Sequence, residues 1–164
     1  MAKLLYEGKA KQVYETENPN EYIIHYKDDA TAGNGVKHDQ FEGKGVLNNT
    51  ISCIIFDMLE EAGIKTHMIE KINERDIRVK KVEIFPLEVI IRNITTGSFC
   101  KRLGAKEGIV LDEPIFELSY KNDDYGDPLI NDDHAVALGL ATRDELKYIR
   151  ETTLKINELL KAFF

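Results

Sequence analysis

Short apolar segments separated by polar turns dominate the first half of the chain. Residues 4–14 predict a strand, a glycine-containing turn and a second strand, and residues 21–27 predict a third strand. Residues 66–72 and 76–82 predict two more strands, joined by a three-residue turn. Strands joined by such short turns pair as antiparallel neighbours, so this half is expected to form an antiparallel sheet.

One helix is predicted within this half, because apolar residues recur there every three or four positions. It spans residues 45–62 and is followed by Gly63, a candidate C-cap. Cys53 and Met58 are interpreted as core residues rather than ligands. The expected buried face comprises Val46, Leu47, Ile51, Ile54, Ile55, Met58, Leu59 and Ala62.

A second helix is predicted from about residue 143 to the end of the chain. Thr142 is a suitable N-cap, and Glu145, three positions later, completes a capping box. The expected buried face comprises Leu146, Ile149, Thr153, Ile156, Leu160 and Phe163.

Between these helices the pattern predicts shorter elements. Residues 108–111 and 116–120 predict two brief strands, and residues 121–128 predict an acidic turn. Asp132 and Asp133 then start a helical segment, where they are expected to act as N-caps.

A strand followed by cations and a Gly-Ser turn suggests an anion site. Val89-Ile90-Ile91 predicts a buried strand, and Arg92 stands at its end. Because burying an unpaired guanidinium is costly, this side chain must reach an anion or water. The turn at residues 95–98 offers hydroxyl and backbone donors, and Lys101 and Arg102 follow it. The pattern fits a phosphate site, and the alternative is a strand that ends in an ordinary polar turn.

A second candidate phosphate site lies near the N-terminus. Gly8 lets the backbone approach a ligand closely, and Lys9 and Lys11, spaced by two, would share one face of a strand. Two ammonium groups above a glycine turn suit a polyphosphate. The alternative is a solvated edge strand whose lysines discourage aggregation.

Composition narrows the class of protein. The 164 residues are 43% hydrophobic and 31% charged, which is enough for one globular domain or two small lobes. A net charge of −7 and a pI of about 5.2 argue against nonspecific binding to nucleic acid or anionic membranes. No apolar run approaches the roughly 20 residues of a membrane helix. The N-terminus is too short and too soon polar to predict a signal peptide.

The two cysteines, Cys53 and Cys100, form no Cys-x-x-Cys pair, and the four histidines show no zinc spacing. His134 has no partner visible in the sequence and is interpreted as structural. We therefore expect reduced thiols and a cytoplasmic location.

The stretch around Arg92 resembles a known family. Ile84-Phe85-Pro86-Leu87-Glu88-Val89-Ile90-Ile91-Arg92, followed after three residues by Thr96-Gly97-Ser98, is similar to the first signature of the SAICAR synthetases. These are ATP-dependent ligases of purine biosynthesis. They join the phosphorylated aminoimidazole carboxylate CAIR to L-aspartate, giving SAICAR, ADP and phosphate, with Mg²⁺ on the phosphates.

The resemblance runs from Leu5 to the C-terminus and implies a fold. We expect an α+β, two-lobed architecture. Residues 1–83 would form a nucleotide-binding lobe with an antiparallel sheet, and Pro86 would mark the hinge. Residues 84–164 would form a second, incomplete α+β lobe with the substrate-phosphate site.

The resemblance also implies roles for individual residues. The loop over residues 28–35 would lie by the active site, and some relatives carry an aspartate at the position of Asn34. No catalytic base and no metal ligand is assigned. The implied contacts are Gly8, Lys9, Ala10 and Lys11 with the ATP phosphates, Glu83, Ile84 and Leu87 with adenine, Arg92, Gly97 and Ser98 with the ribose phosphate of CAIR, and Asp127 with the imidazole side.

Two other classes of function stay open from the residues alone. One is a noncatalytic nucleotide- or phosphate-binding module. The other is a kinase-like phosphotransferase, against which the chain has no His-Arg-Asp or Asp-Phe-Gly triplet. The expected partners are small molecules rather than nucleic acid or membrane, and a homo-oligomer is left open.

One part of the family pattern has no counterpart here. The second signature, Asp-x-Lys followed by a hydrophobic residue and Glu-Phe-Gly, and the acidic segment after it resemble the metal-binding and catalytic carboxylates. We therefore expect a truncated chain that is inactive alone and holds magnesium poorly. The alternative is a naturally short relative that borrows carboxylates from a partner. Metal ligands within the chain would be sought among Asp28, Asp29, Asp123, Asp124 and Asp127.

Overall fold

The chain folds into two compact units, Met1–Glu83 and Ile84–Phe164. A computed structural model describes residues 3–32 and 37–164. Each unit combines antiparallel strands with helices, so the predicted α+β class is confirmed. In the described part of the chain, every helix is too short or too polar to cross a membrane.

The first unit is built on a five-stranded antiparallel sheet. The strand order is β1-β2-β3-β7-β6, and β4 pairs with β5 in a separate hairpin. The predicted strands and helix of this half are confirmed, with bounds shifted by a few residues. The elements in chain order are β1 (Leu4–Glu7), β2 (Lys11–Glu15), β3 (Glu21–Tyr26), β4 (Asp29–Ala32), β5 (Lys37–Gln40), α1 (Lys44–Glu61), β6 (Met68–Lys71) and β7 (Asp76–Lys80).

The predicted loop over residues 28–35 is wrong in its first half. Strand β4 begins at Asp29, which pairs with Gln40 of β5. The composition of residues 28–35 favours a turn, but strand β5 forms hydrogen bonds with residues 29–32 and makes them a strand. This pairing depends on residues 37–40, so the local sequence of the loop does not reveal it. Asn34 and Gly35 lie outside the described residues.

Helix α1 covers one face of the five-stranded sheet. Cys53 and Phe56 belong to the same core cluster as Ile24 and Ile77 of the strands. Asn49, on the same side of the helix, is fully buried, and its Nδ2 donates to a backbone carbonyl of the β6–β7 turn at 2.9 Å. The buried stripe of α1 therefore includes a polar residue that is satisfied by the turn beside it.

The predicted buried face of α1 is partly wrong. Leu47, Ile51 and Ile54 are 63%, 51% and 48% exposed. Apolar residues occur on more than one side of this helix, so their period alone does not select the side that meets the sheet. Gly63 follows the helix with φ of 80°, as expected for a glycine after a C-cap.

An ion pair between Arg75 and Asp28 anchors the start of α1, where the backbone packs closely around Gly45. Arg75 donates to both oxygens of Asp28, at 2.8 and 2.9 Å, and Gly45 N–H donates to the same carboxylate at 2.8 Å. A Cβ on Gly45 would lie 2.4 Å from the carbonyl oxygen of Tyr26. The bonds from Arg75 and then Gly45 hold the pKa of Asp28 well below its usual range.

The second unit packs a three-stranded antiparallel sheet, in the order β10-β9-β8, against two helices. Leu87 and Leu118 of the sheet share a buried cluster with Ala135, Ala141 and Leu146 from the helical region. The elements in chain order are β8 (Leu87–Ile94), α2 (Gly97–Leu103), β9 (Val110–Tyr120), a 3-10 turn (Asp123–Tyr125), β10 (Leu129–Ile130), α3 (Asp132–Ala137) and α4 (Arg143–Phe163).

The two strands predicted at residues 108–111 and 116–120 form the single strand β9. Its pairing with β8 shifts register between Arg92 and Ile94, which pair with Ile115 and Val110. Pro114 lies in the resulting bulge, where the ladder requires no N–H from it. The proline therefore lies at an irregularity in the pairing and does not divide the strand.

Asn131 caps helix α3, so the prediction that Asp132 or Asp133 does so is wrong. The Asn131 side chain accepts the N–H of His134 at 2.9 Å, and Nδ1 of His134 accepts the N–H of Asn131 at 3.3 Å. The aspartates occupy the first turn instead, where the helix dipole favours negative charge.

The predicted capping box of α4 is confirmed. Thr142 Oγ1 accepts the N–H of Glu145 at 3.2 Å, and the Glu145 carboxylate accepts the N–H of Thr142 at 2.7 Å. Leu146 is buried as expected, whereas Phe163 is half exposed. The apolar period therefore holds at the start of the helix and fails at its last turn.

Candidate functional site

Strand β8 presents Arg92 on the sheet face that points away from α3 and α4. Side chains alternate along a strand, and Leu87 packs into the helix-covered core. Arg92 lies on the opposite face, and so does Glu117 of β9, because Ile90 pairs with Glu117 and Arg92 pairs with Ile115. We call this side of the sheet the open face.

Arg92 and Glu117 form a short ion pair on the open face. Arg92 Nε donates to Glu117 Oε2 at 2.6 Å, and the two side chains are only 15% and 14% exposed. Arg102 Nη2 donates to the other carboxylate oxygen, Oε1, also at 2.6 Å. Arg92 Nη2 in addition donates to Ser98 Oγ at 3.3 Å. We call these four residues the arginine cluster.

The arginine cluster carries two positive charges and one negative charge, within a chain whose net charge is −7. The Phe99 ring lies 5.9 Å from Cζ of Arg92 and contributes a cation–π contact. Lys101, exposed on the same helix, adds a further cation. Such a local excess of positive charge with a nearby hydroxyl suits a phosphate.

The predicted flexible turn at residues 95–98 is wrong in detail. Strand β8 continues past Arg92 to Ile94, and Gly97 and Ser98 form the first turn of α2. The φ of Gly97 is 58°, in the left-handed region that favours glycine. The structure brings the side chains of Arg92 and Ser98 together, and Gly97 is the neighbour of Ser98 in the chain.

The donors at the start of α2 are engaged by Glu107. Thr96 Oγ1 donates to its Oε1 at 2.8 Å, and Gly97 N–H donates to the same oxygen at 3.4 Å. The bond from the Thr96 hydroxyl, then that from Gly97, keeps the pKa of the Glu107 carboxyl below its usual value. A ligand that uses the Gly97 N–H must therefore compete with this carboxylate.

Asp127 lies in the turn that links β9 to β10 and has φ of 49°. Its Oδ1 accepts the N–H of Asn122 at 2.8 Å, and its carbonyl oxygen accepts from Ser119 Oγ at 2.5 Å. Ser119 lies two residues after Glu117 on β9, so both are on the open face. The hydrogen bond from Ser119 therefore ties the turn to this face, next to the arginine cluster. One carboxylate oxygen of Asp127 is thus committed to the turn.

The glycine turn in the first unit is tightly held. Gly8 N–H donates to the carbonyl of Lys11 at 2.8 Å, and Lys27 N–H donates to the carbonyl of Ala10 at 2.8 Å. Lys11 begins β2, whereas Lys9 lies in the turn, so the prediction that both share a strand face is wrong. Both lysines are exposed, and within the described part of the chain neither forms a salt bridge.

Of the residues expected beside adenine, Glu83 and Ile84 lie between β7 and β8, and Leu87 is the first residue of β8. Glu83 and Ile84 are exposed, and Leu87 is buried in the core of the second unit. The carbonyl oxygen of Pro86 accepts from the N–H of Lys121 at 2.9 Å. Because the side chain of Leu87 is part of this core, only the backbone of Leu87 is available to a ligand.

Three of the carboxylates considered as magnesium ligands are engaged by other groups of the protein. Within residues 3–32 and 37–164, no group of three or more acidic, histidine or cysteine side chains is placed to hold a metal ion. Asp28 is engaged by Arg75, Asp29 pairs with Lys27 at 3.0 Å, and Asp127 holds its own turn.

An open cavity of about 820 Å³ lies in the first unit, apart from the predicted site residues. Glu15, Glu17 and Glu21 line it, with Arg78 as the single cation among its lining residues. A lining so rich in carboxylates disfavours phosphate-bearing ligands.

The sequence analysis does not include Glu117 in the anion site, and it gives Arg102 only as a cation that follows the Gly-Ser turn. The available signal was a carboxylate at Glu117, flanked on both sides by the apolar residues Ile115-Phe116 and Leu118. A carboxylate in that position needs a cationic partner, because burying it alone is costly.

Comparison with known proteins places these features in context. The sequence profile of the SAICAR synthetase family matches residues 4–164. The phosphoribosylaminoimidazole-succinocarboxamide synthase of Finegoldia magna is 66% identical over 160 residues, which are 98% of this chain and 69% of that protein.

Two solved structures are similar over nearly the whole chain. The phosphoribosylaminoimidazole-succinocarboxamide synthase of Ehrlichia chaffeensis superposes with a TM-score of 0.93 at 43% identity, over 96% of this chain and 67% of that one. A type-2 SAICAR synthetase in complex with ADP superposes with a TM-score of 0.92 at 49% identity and the same coverage.

Proposed function

The chain belongs to the SAICAR synthetase family of purine-biosynthesis ligases, and on that premise we propose that it binds CAIR, ATP and L-aspartate. The observation that carries the proposal is the arginine cluster. It combines two guanidinium groups, one carboxylate and the Ser98 hydroxyl on the open face. Its excess positive charge suits the phosphate of a phosphoribosyl group.

The proposed reaction activates a carboxylate. The CAIR carboxylate attacks the terminal phosphorus of ATP, which gives an acyl phosphate and releases ADP. The amino group of L-aspartate then attacks the acyl carbon, and phosphate leaves as the amide forms. The protein contributes mainly by holding the reactants in place, which lowers the entropic part of the barrier.

We assign the ribose phosphate of CAIR to Arg92, Ser98 and the backbone of Gly97. The 3.3 Å contact between Arg92 Nη2 and Ser98 Oγ supports this assignment, because both donors then face the same region. Asp127 is assigned to the imidazole side, and its anchored turn supports a fixed position for its carboxylate.

We assign the ATP phosphates to Gly8–Lys11, including the backbone of Ala10, and adenine to the neighbourhood of Glu83, Ile84 and Leu87. Two exposed lysines on a tightly hydrogen-bonded turn support the phosphate assignment. A relative solved with ADP supports nucleotide binding in general.

Calorimetry tests the proposal directly. The purified chain is titrated with CAIR and with the same nucleoside lacking its 5′-phosphate. Loss of a charge-assisted phosphate contact costs affinity, so CAIR should bind at least about tenfold more tightly. Equal affinities for the two ligands would refute the phosphate assignment.

We further propose that the 164-residue chain alone does not turn over, since it lacks the second family signature. In an assay that measures both ADP and SAICAR, with ATP, Mg²⁺, CAIR and L-aspartate present, the chain should form no SAICAR above background. Sustained SAICAR formation by protein of confirmed mass contradicts this. A phosphorylated CAIR product that accumulates and is not consumed when L-aspartate is added would instead indicate a phosphotransferase.

A further inference from the structure

Glu117 joins two cations that come from different elements. One of its oxygens accepts from Arg92 on β8 and the other accepts from Arg102 on α2, each at 2.6 Å. The side chain of Glu117 is only 14% exposed. Both of its oxygens are therefore committed to orienting guanidinium groups.

Two guanidinium groups held this close repel each other unless an anion lies between them. Glu117 offsets that repulsion, and one unit of positive charge is left over. Arg102 is more exposed than Arg92, 34% against 15%, so a ligand approaching the cluster from solvent meets Arg102 with less desolvation. Its forked donors suit bidentate binding of a phosphate.

Stability alone gives a weak reason for such a cluster. Replacing buried ion pairs by apolar residues of similar volume is often neutral or stabilising, because desolvation offsets the Coulomb attraction. The open face also carries Ile90 and Ile115 beside the cluster, so apolar side chains suit this surface. The charges are better explained by a ligand than by packing.

We propose that Glu117 is a positioning residue that orients Arg92 and Arg102 as a pair, and that Arg102 is the second cation for the substrate's phosphate. The proposal rests on the proposed function, since it deepens the phosphate site assigned there. It predicts that removing the Glu117 charge weakens phosphate binding, although the substitution makes the site more positive.

The test compares phosphate preference, defined as the dissociation constant of the dephosphorylated nucleoside divided by that of CAIR. Glu117→Gln keeps the shape of the side chain but offers an NH₂ group to one arginine. We expect the preference to fall about tenfold, with nucleoside affinity unchanged. Glu113→Gln, an exposed glutamate on the same strand, is the matched control and should leave the preference unchanged.

Arg102 variants test the second cation separately. Arg102→Gln should lower the phosphate preference about fivefold, and Arg102→Lys should restore part of it, since the charge returns without the fork. These changes lie on the more exposed partner, so they report on the pair even where Glu117→Gln reduces the yield of folded protein.

The possible outcomes distinguish the role proposed for Glu117 and Arg102 from the phosphate site proposed for Arg92. If the unmodified chain prefers CAIR and neither Glu117→Gln nor Arg102→Gln lowers that preference, the inference is overturned and the phosphate assignment to Arg92 stands. If both ligands weaken equally in Glu117→Gln, the residue is merely structural and the inference is again overturned. If the unmodified chain shows no preference, the phosphate site and the inference fall together.

Discussion

Asn93 and Asn157 exchange two hydrogen bonds between strand β8 and helix α4. Asn93 Nδ2 donates to Asn157 Oδ1 at 2.7 Å, and Asn157 Nδ2 donates back at 3.1 Å. Asn157 is nearly buried. Because Asn93 follows Arg92 along an alternating strand, this amide pair holds the helix side of β8 while Arg92 projects from the open face.

Asn157→Ala should destabilise the protein, since it leaves the amide of Asn93 without its partner. We expect a loss of about 1–3 kcal/mol in the free energy of unfolding, measured with urea. The double variant with Asn93→Ala should lose less than the sum of the two single variants. Strict additivity would show that the two amides act independently.

Arg92→Ala should weaken CAIR far more than ATP. Loss of a charge-assisted phosphate contact costs on the order of 1.5–3 kcal/mol, measurable by calorimetry with each ligand. Arg143→Ala is the matched control, because that exposed arginine pairs only with Asp133 among the described residues. Equal losses for both ligands would mean that Arg92 acts through structure alone.

Lys11→Ala should show the reverse preference. Removing an exposed ammonium from the glycine turn should raise the dissociation constant of ADP about threefold to tenfold, with little effect on CAIR. Lys65→Ala removes an exposed lysine elsewhere in the same unit and serves as the control. An unchanged affinity for ADP would exclude the Gly8–Lys11 turn as the phosphate site.

Asp28→Asn should make the protein less sensitive to acid. The bonds from Arg75 and Gly45 lower the folded-state pKa of Asp28 below its ordinary value of 3.8. The folded state thus binds fewer protons, and the stabilisation is complete above that value and is lost as the pH falls below it. Urea unfolding from about pH 7 to about pH 2 should show the difference between the two proteins shrinking with acid.

The control for that series is Asp144→Asn, an exposed aspartate in the first turn of α4. Its stability difference from the unmodified protein should stay small across the series. A difference for Asp28→Asn that is constant with pH would contradict the role given to its charge.

Gly45→Ala should destabilise a helix in which alanine is normally preferred. Replacing glycine by alanine inside a helix stabilises it by about 1 kcal/mol where the new methyl group has room. At Gly45 the new Cβ would lie 2.4 Å from the Tyr26 carbonyl oxygen and 2.5 Å from Arg75 Nη1. We expect a net loss of about 1–3 kcal/mol in urea unfolding. The control is Glu61→Ala, at an exposed position of α1, which should change the free energy of unfolding by less than about 0.5 kcal/mol. A higher free energy of unfolding for Gly45→Ala would refute the crowding at Gly45.

Features specified within a few residues were predictable from sequence. The capping box of Thr142 and Glu145 needs only a four-residue window, and the strand and helix periods need about a dozen. The exposed row of Leu47 and Ile51 was not predictable, because the side of α1 that is buried depends on how Gly45 meets the sheet.

The candidate site divides in the same way. Arg92 and Ser98 were predictable because both lie within one short signature. Glu117 was not, because it reaches Arg92 only after β9 pairs with β8, and the register of that pairing is a tertiary property. Lys9 was misplaced because a two-residue spacing implies one strand face only where the strand already exists.

The alternation on β8 also limits which changes of length this gene segment tolerates over evolutionary time. A single inserted or deleted codon between Leu87 and Arg92 would exchange the sides of Arg92 and Asn93. The guanidinium would then face α4 and the amide would face the ligand side, so one event would remove both a packing contact and a binding group.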